Sequence, residues 1–594
     1  MNTVSPVETL VTDHLDLWTA ALKRKSTAGR GSSSKVELYG IKKLRELILE
    51  LAVRGLLVPQ DPNDEPASEL LKKIAAEKAK LVKAGKIKTD KPLPMIKMEE
   101  LPHYLPAGWA YERFGRLAII ERGGSPRPIQ SYLTDQPDGL NWIKIGDTDI
   151  GGKYITGTKE KIIKEGLSKT RMVYPGDFLL TNSMSFGRPY ITKIEGCIHD
   201  GWLRISPAKQ VDKDFLYLLL SSPYIVKSFT ASAAGAVVQN LNSDKVREVL
   251  IFLPPQTEQH RIVAKVDELM ALCDQLEQET EASLGAHQTL VETLLSALTS
   301  AADHAQFASA WQRIAGHFDT LFTTEESIAL LKQTILQLAV MGKLVPQDPN
   351  DEPASELLKK IAAEKAKLVK EGKIKKVKRL PEVASTEAPF GLPGGWECVG
   401  LQTIAVIGTG ATPARENNAY YYPQEFSWVT SGETSQQFIS ETREKISAKA
   451  VAETNVTIYP PGTLIIAMYG QGKTRGQITE LLIPAGTNQA CAAIQLIEPA
   501  SAHRSYIKIF FQRAYEDIRS LAEGGAQPNL NVGKISETAL PLPPLLEQHR
   551  IVAKVDELMA LCDQLKSRLS DAQTTQLHLA DALVECALKG PRSI

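Results

Sequence analysis

A stretch of 24 residues that occurs twice constrains this chain more than any other feature. Residues 253–276 read LPPQTEQHRIVAKVDELMALCDQL, and residues 542–565 repeat them 289 positions later with two differences. The paired prolines of each copy suit the first turn of a helix. Glu258 and Glu547 follow, where the helix dipole favours negative charge. Each copy therefore predicts the start of a long helix.

Apolar residues recur in each copy at intervals of three and four, which is the pattern of a coiled-coil seam. The two seams are Ile262, Val266, Leu269, Cys273 and Leu276, and Ile551, Val555, Leu558, Cys562 and Leu565. The heptads continue through Leu284, Leu290, Leu294 and Leu298, and through Leu569, Ala572, Leu579 and Leu583. We expect the two helices to pair with each other, and a helix over 262–298 would be roughly 55 Å long.

A second repeat lies before each globular segment. Residues 55–88 match residues 342–375 with two changes. An amphipathic helix is predicted over 35–54, with Gly55 ending it. A lysine-rich helical arm follows, for which Ser68 is a suitable N-cap. The chain is therefore a tandem duplication.

Two globular segments, 101–254 and 389–543, are weakly alike but keep register. In the alignment of the two segments, LPAGW corresponds to LPGGW, GGSPRP to GATPAR, NWIKIGDT to SWVTSGET, and NLNSDK to NLNVGK. Short alternating apolar runs among Gly, Pro and Thr predict mixed α/β domains with much loop. Residues 101–254 carry 19 Lys and Arg against 15 Asp and Glu, whereas residues 391–544 carry 11 against 13. The formal net charge of the whole chain is zero, so its electrostatics neither require nor exclude binding to nucleic acid.

The predicted fold class is α+β, with two mixed α/β domains separated by long antiparallel coiled-coil helices and related by pseudo-twofold symmetry. The predicted boundaries are a helical region with its arm at 1–100, a globular domain at 101–254, a central helical region at 255–388, a second globular domain at 389–543 and a last helix at 544–594. A length of 594 residues favours several domains over a single core.

The composition indicates the cellular environment of the protein. No apolar run approaches the roughly 18 residues of a membrane span, and the N-terminal sequence lacks the features of a signal peptide. The six cysteines are scattered without a CxxC pair, so we expect a reduced, cytoplasmic protein without a cysteine-based metal site.

One loop satisfies a relaxed nucleotide-binding pattern. Residues 467–474 read AMYGQGKT after an apolar run, but a phosphate-binding loop must lead into a helix. The following RGQITELLIPAG contains an early glycine and a proline, so an ATPase that uses Lys473 is a minor alternative. There are two other interpretations: a surface hairpin loop, and a loop whose Lys473 and Arg475 contact DNA.

No other catalytic group is found in the sequence. The Asn/Asp-Pro-Pro-aromatic loop of an amino-methyltransferase is absent, and Gly408–Gly410 is only a lone GxG. The segment from Asp138 to Lys144 lacks the second acid of a metal-dependent nuclease. No metal-ligand spacing occurs either.

Polar loops fit recognition better than catalysis. Amide side chains suit bidentate hydrogen bonding to base edges, although an Asn in an NLN sequence is equally suited to capping a turn. Arginines and lysines in Gly/Ser/Thr/Tyr-rich segments favour DNA as a set. The DNA-binding candidates are Arg122, Arg127, Lys144, Arg171, Arg188, Gln239, Asn240, Asn242, Arg415, Lys473, Arg475, Gln527, Asn529 and Asn531.

The alternation of two diverged domains with near-identical LPPxxEQHRIVAKVDELMALCDQL helices resembles the specificity subunits of Type I restriction–modification enzymes. The LVPQDPNDEPASELL repeat resembles the enterobacterial IB branch of that family. The resemblance covers essentially the whole chain. It does not assign a target sequence.

The resemblance implies a subunit without catalysis of its own. Each globular domain would read one half of an asymmetric, bipartite site in double-stranded DNA, and the helices would set the spacer. Two modification subunits carrying S-adenosylmethionine would dock on the helices and methylate adenine N6. Restriction subunits using ATP and magnesium would join them, so no cofactor is expected in this chain.

A second function class remains open. The duplicated domains could instead form a protein-interaction scaffold without base readout. Comparing specific with nonspecific DNA binding, with and without modification subunits, separates the two.

Overall fold

A computed structural model describes residues 6–24, 36–85, 87, 92–101, 105–149, 151–182, 187–233, 241–374, 390–470, 474–518 and 530–589. The chain divides into two compact units. The first contains residues 1–27, 33–282 and 573–594, and the second contains residues 28–32 and 283–572. In the described ranges, no helix combines the length and the apolarity needed to cross a membrane.

The first unit combines peripheral helices with strands from the first globular segment. Its helices are α1 Pro6–Thr12, α2 Leu15–Ala20, α3 Tyr39–Val53, α4 Ala67–Lys83, α5 Phe114–Leu117, α6 Lys213–Ser221, α7 Pro223–Ala233, α8 Ser243–Glu248 and the start of α9 Gln256–Ser300. Helix α3 ends before Gly55, which has a φ of 69° and so supplies the left-handed residue that ends many helices. Helix α4 begins at Ala67 after Pro66, so Ser68 is not its N-cap.

Strands in the first unit form two five-stranded sheets and two small pairs. They are β1 Lys23–Arg24, β2 Val36–Glu37, β3 Ala110–Arg113, β4 Ala118–Arg122, β5 Leu133–Thr134, β6 Leu140–Ile143, β7 Tyr154–Ile155, β8 Glu160–Ile162, β9 Arg171–Val173, β10 Phe178–Thr181, β11 Pro189–Thr192, β12 Gly196–Ile198, β13 Trp202–Pro207 and β14 Leu250–Leu253. The sheet orders are β4-β13-β10-β11-β7 and β5-β8-β6-β12-β9, and the pairs are β1-β2 and β3-β14. Strands from one segment thus form both sheets.

Helices in the second unit repeat the arrangement. They are α10 His304–Gly316, α11 Phe318–Leu321, α12 Glu325–Val340, α13 Ala354–Lys370, α14 Leu401–Ile404, α15 Ala448–Glu453, α16 Ser501–Arg513, α17 Val532–Ser536 and α18 Leu545–Lys589. Helices α12 and α13 correspond to α3 and α4 of the first unit, as the repeat predicts.

Strands in the second unit keep the same order. They are β15 Glu397–Gly400, β16 Ala405–Thr409, β17 Phe426–Val429, β18 Phe438–Ile439, β19 Glu444–Ile446, β20 Leu464–Ala467, β21 Ile478–Leu481, β22 Ala485–Thr487, β23 Cys491–Leu496 and β24 Ala539–Leu542. The sheets are β16-β23-β20-β21-β18 and β19-β17-β22, with the pair β15-β24. The α+β class is confirmed, and both globular segments combine sheets of parallel and antiparallel strands with helices.

The unit boundary falls within each of the two long helices. The first seam is fully buried in the core of the first unit, which also contains Ala580 near the end of α18. The second seam lies in the core of the second unit together with Val291, Leu295 and Leu298 from the end of α9. The start of each long helix therefore shares a core with the end of the other, as expected of two helices that pair antiparallel. Each seam also packs on the other apolar residues of its own unit.

The later heptads match the prediction only in part: Leu298 is buried as predicted, but two other positions are not. Leu290 and Leu579 are half exposed, whereas their neighbours Val291 and Ala580 are buried. An α-helix drifts by about 20° per heptad against a strict seven-residue repeat. The buried face therefore shifts by one residue along each helix.

A buried carboxylate joins the long helix of the first unit to its globular domain. The Glu258 side chain is fully buried and accepts hydrogen bonds from Trp109 Nε1 (3.0 Å) and Gln60 Nε2 (3.2 Å). Beside it, Arg261 Nη2 donates to Asp64 Oδ2 at 2.6 Å. We call this set of five residues the frame junction. Burial raises the pKa of Glu258, whereas the hydrogen bond from Arg261 lowers that of Asp64.

The second unit builds the same frame junction from the second copy of each motif. Glu547 accepts from Trp396 Nε1 (2.9 Å) and Gln347 Nε2 (3.4 Å), and Arg550 Nη2 donates to Asp351 Oδ2 at 2.6 Å. The pKa of Glu547 is likewise raised by burial. Three repeated motifs, PQDPND, LPxGW and EQHR, thus meet at one place in each unit.

The lysine-rich arms contact their own globular domain and themselves. Lys78 Nζ of α4 donates to the Gly115 carbonyl at 2.6 Å, and Lys365 of α13 donates to the Gln402 carbonyl. Other arm lysines face solvent and pair along the helix, as Lys72 does with Glu69 at 2.7 Å.

Candidate nucleic-acid interface

The first globular domain presents a tryptophan and a glutamate side by side. Trp142 of β6 lies directly opposite Glu160 of β8 in an antiparallel register, so both side chains are on the same face of the sheet. Lys144 follows two residues after Trp142, and its Nζ lies 2.5 Å from Glu160 Oε1. Trp142 is buried, whereas Lys144 and Glu160 are each about one third exposed. A paired cation therefore lies at the surface, two residues along the chain from a buried tryptophan.

A concave surface of about 750 Å³ surrounds this pair. Its apolar wall comes from the turn around Pro126 and Pro128 and from Ile129 and Leu133. Polar groups converge on the same concavity: Ser125, Arg127, Gln130, Lys144, Glu160 and His199. The concavity thus brings charged and polar side chains together with apolar ones on one surface.

Asp200 organises the cationic rim of the concavity. Its carboxylate accepts from Ser125 Oγ (2.7 Å) and from Arg127 Nη2 (3.4 Å), and its carbonyl accepts from Arg122 Nε (3.1 Å). The hydrogen bond from Ser125 lowers the pKa of Asp200, which stays charged. The adjacent His199 is mostly buried, and burial lowers its pKa. The rim therefore carries arginines beside a charged carboxylate.

Two further predicted arginines of this domain differ in their surroundings. Arg171 Nη1 donates to Glu121 Oε1 at 2.8 Å, and its Nε donates to the Arg122 carbonyl at 3.2 Å. Arg188 has an exposed side chain just before β11. Arg122, Arg127 and Arg171 are thus gathered near one sheet edge through Asp200 and Glu121.

The second globular domain repeats the tryptophan–glutamate pair with another cation. Trp428 of β17 lies opposite Glu444 of β19 in the same antiparallel register. Arg415 reaches this place from the loop after β16, with Nη1 2.5 Å from Glu444 Oε2. Its guanidinium carbon lies 5.0 Å from the ring centre of Tyr421 and 5.2 Å from that of Trp428. The hydrogen bond to Glu444 raises the pKa of Arg415.

Two asparagines predicted as base readers act as helix N-caps in the structure. Asn242 Oδ1 accepts from the Lys245 backbone N–H at 2.8 Å, and Asn531 Oδ1 accepts from the Lys534 backbone N–H at 2.8 Å. The sequence left both roles open, and the structure shows the capping one. Gln239, Asn240, Gln527 and Asn529 lie outside the described residues.

The relaxed nucleotide-binding pattern lies in a hairpin. Strand β20 pairs antiparallel with β21, for instance Leu464 with Glu480, and a strand rather than a helix follows the loop. Among the described residues on either side of this loop, the chain therefore lacks the strand–loop–helix order of a phosphate-binding loop and has the predicted hairpin. Lys473 lies outside the described residues, and Arg475 is half buried, with its Nε lacking a partner among the described atoms.

Sequence reasoning missed the acidic and aromatic members of both sites. Glu160, Glu444, Trp142 and Trp428 were not candidates, since only cations and amides were selected. A usable signal was present: NWIKIGDT matches SWVTSGET, and the later TKEKI matches TREKI. Two matched segments that each keep one tryptophan or one glutamate indicate a shared contact.

Known proteins are similar to this chain over nearly its full length. The family described as type I restriction modification DNA specificity domain matches residues 106–286 and 393–572. The chain is 42% identical over 610 residues to the type I restriction enzyme EcoAI specificity subunit of Escherichia coli, with 98% of this chain and 100% of the relative covered. It is 40% identical over 605 residues to the EcoEI specificity subunit of Escherichia coli, with 98% and 100% covered.

A solved structure is also similar. The crystal structure of the HsdS subunit from Thermoanaerobacter tengcongensis matches with a TM-score of 0.41 and 18% identity, covering 83% of this chain and 100% of that chain.

Proposed function

Because the chain belongs to the family of type I restriction–modification specificity subunits, we propose that it selects the DNA sequence on which such a complex acts. The observation that carries the proposal is identity of about two fifths to two specificity subunits over 98% of this chain. Each globular domain reads one half of a bipartite site, and the long helices set the spacing of the halves. The subunit itself performs no chemistry.

The duplicated frame supports two equivalent docking places. The two frame junctions repeat the same buried contacts, so identical partners would meet similar surfaces on each unit. In this proposal two modification subunits dock on the helices and bring S-adenosylmethionine. Restriction subunits that use ATP and magnesium complete the complex.

The charged side chains at the sheet surfaces favour short-range contacts with DNA over long-range attraction to it. The whole chain has a formal net charge of zero, so long-range attraction to DNA is weak. The candidate cations are instead arranged beside carboxylates at the sheet surfaces: Arg127 with Asp200, Lys144 with Glu160, Arg171 with Glu121 and Arg415 with Glu444. Such pairs suit short-range reading.

A domain exchange tests the proposal. Residues 101–254 are replaced by the corresponding domain of the EcoAI relative, and the chain is assembled with its modification subunits. Sequencing of methylated adenines should then show one changed half-site and one unchanged half-site. The matched control exchanges residues 389–543 and should change the other half only. A protein scaffold without base readout would leave both halves unaltered, and that result would contradict the proposal.

A further inference from the structure

The tryptophan–glutamate pair occurs in both globular domains, but its cation comes from different places in the chain. Lys144 belongs to the same strand segment as Trp142, whereas Arg415 comes from a loop that precedes β17. In the register of GGSPRP with GATPAR, the position of Arg415 is held by Pro128 in the first domain. The carboxylate has therefore kept its place while the cation beside it was replaced.

A carboxylate at this place changes what the cation can bind. Ion pairing nearly cancels the net charge, so the pair gains little Coulomb attraction from a phosphate. Base edges carry neutral acceptors, which a paired cation can still approach with its remaining N–H groups. Glu444 engages two nitrogens of Arg415, at 2.5 and 3.3 Å, out of a group with five N–H donors.

Both cations are also accessible and already oriented. The side chains of Lys144 and Arg415 are 35% and 53% exposed. Arg415 is held by Glu444 and by the faces of Tyr421 and Trp428, so little rotamer freedom is left to lose on binding. A base edge in a groove of DNA would therefore meet a cation whose orientation is already fixed.

We propose that Glu160 and Glu444 are positioning residues that aim Lys144 and Arg415 at base edges, and so determine specificity at one position in each half-site. The inference rests on the proposed function and adds to it the residues and the chemistry of reading. The N–H groups of Arg415 that Glu444 leaves unused can donate to the two acceptors of guanine, whereas Lys144 offers a single ammonium to one acceptor.

The test uses the full chain assembled with its modification subunits and a DNA library with randomised half-sites. Glu444→Gln removes the charge but keeps a similar shape, so one position of the second half-site should lose about tenfold or more of its discrimination. Nonspecific affinity should rise, because a negative charge facing DNA is gone. Glu160→Gln should give the same two changes in the first half-site only.

Three further variants separate positioning from folding. Glu444→Asp should restore most of the discrimination, and Arg415→Lys should lose it at the same position as Glu444→Gln. Glu364→Gln removes the same charge from an exposed ion pair with Lys367 on the arm, and it should change neither readout.

Two outcomes distinguish the inference from the proposed function. A wild-type complex that selects no sequence from the library would overturn the proposed function. If the wild type selects a site and Glu160→Gln, Glu444→Gln and Arg415→Lys all keep full discrimination, the inference alone is overturned. A uniform loss across all sequences with a shallower salt dependence also overturns it, because that is phosphate binding.

Discussion

The frame junctions and the tryptophan–glutamate sites diverged to different extents within one molecule. The junctions are the same residue for residue in both units, from Trp109 and Trp396 to Glu258 and Glu547. The sites keep Trp and Glu but exchange Lys144 for Arg415. Leaving a buried polar group without its partner costs about 1–3 kcal/mol, more for a charge. A half-exposed ion pair contributes about 0–1 kcal/mol to stability, so its cation can change freely.

The comparison assigns different tasks to the two regions. Junction residues are expected to control the free energy of unfolding of each unit, with little effect on which bases are read. Residues of the tryptophan–glutamate sites are expected to control base preference, with little effect on stability. Substitutions in each region therefore separate these two measurements.

The largest effect is expected at the junction tryptophans. Trp109→Ala removes a buried ring and a hydrogen bond to Glu258, and should lower the free energy of unfolding by about 3–5 kcal/mol. Trp396→Ala should behave alike in the second unit. Urea denaturation followed by circular dichroism measures both.

An exposed tryptophan provides the control for that prediction. The Trp311 side chain is about half exposed on α10, so Trp311→Ala should change stability by no more than about 0.5 kcal/mol. If the junction variants lose as little as Trp311→Ala does, the junction is not a stabilising element and the comparison is wrong.

The next effect concerns reading rather than folding. Arg415→Ala should cost about 1–3 kcal/mol of discrimination at one position of the second half-site, because a bidentate contact is lost. The melting temperature should stay close to that of the wild type. Competition binding against single-base variants of the target gives the discrimination.

Arg188→Ala supplies the contrast, since its side chain is exposed. Loss of a phosphate contact there should weaken binding to all DNA sequences equally and make the affinity less dependent on salt concentration. Equal behaviour of the two variants would show that Arg415 does not read a base.

A smaller effect is expected at the two capping asparagines. Asn242→Ala and Asn531→Ala each remove one N-cap hydrogen bond and should lower stability by about 1 kcal/mol. Thermal unfolding measures the loss, and the methylated sequence should be unchanged. A changed base at either half-site would instead restore the base-reading role that the sequence also allowed.

The smallest effect is a dependence on pH. Burial raises the pKa of Glu258 and Glu547 above the ordinary 4.5, so the folded chain binds protons more tightly than the unfolded chain in that window. Stability must then fall as the pH rises from about 4.5 through the raised value. The double variant Glu258→Gln, Glu547→Gln should lack this fall, and each single variant should lack half of it.

Urea denaturation at a series of pH values between about 4 and 8 measures this dependence. The free energy of unfolding of the double variant minus that of the wild type should increase with pH and then level off. A difference that shrinks as the pH rises would mean that the carboxylates are stabilised in their charged form by their hydrogen bonds.

The sequence alone determined the repeated helices, the duplication and the α+β class. Gly55 ends α3 as predicted, and every residue of the first seam is buried. The helices follow from periodicity and turn chemistry within short windows, whereas the duplication follows from matching stretches far apart in the sequence. The predicted arm helix was also correct, apart from its cap at Ser68.

Tertiary structure alone decided which residues meet. A heptad pattern predicts that the long helices pair, but only the structure shows which stretch of the partner helix and which globular residues share the core of each seam. Glu258 suits a helix dipole in the sequence, but its partner Trp109 lies 149 residues away. Arg415 joins Glu444 only because a loop brings it to a sheet register fixed by Trp428. A contact across a sheet depends on strand order and register, and these are set by packing of the whole domain rather than by neighbouring residues.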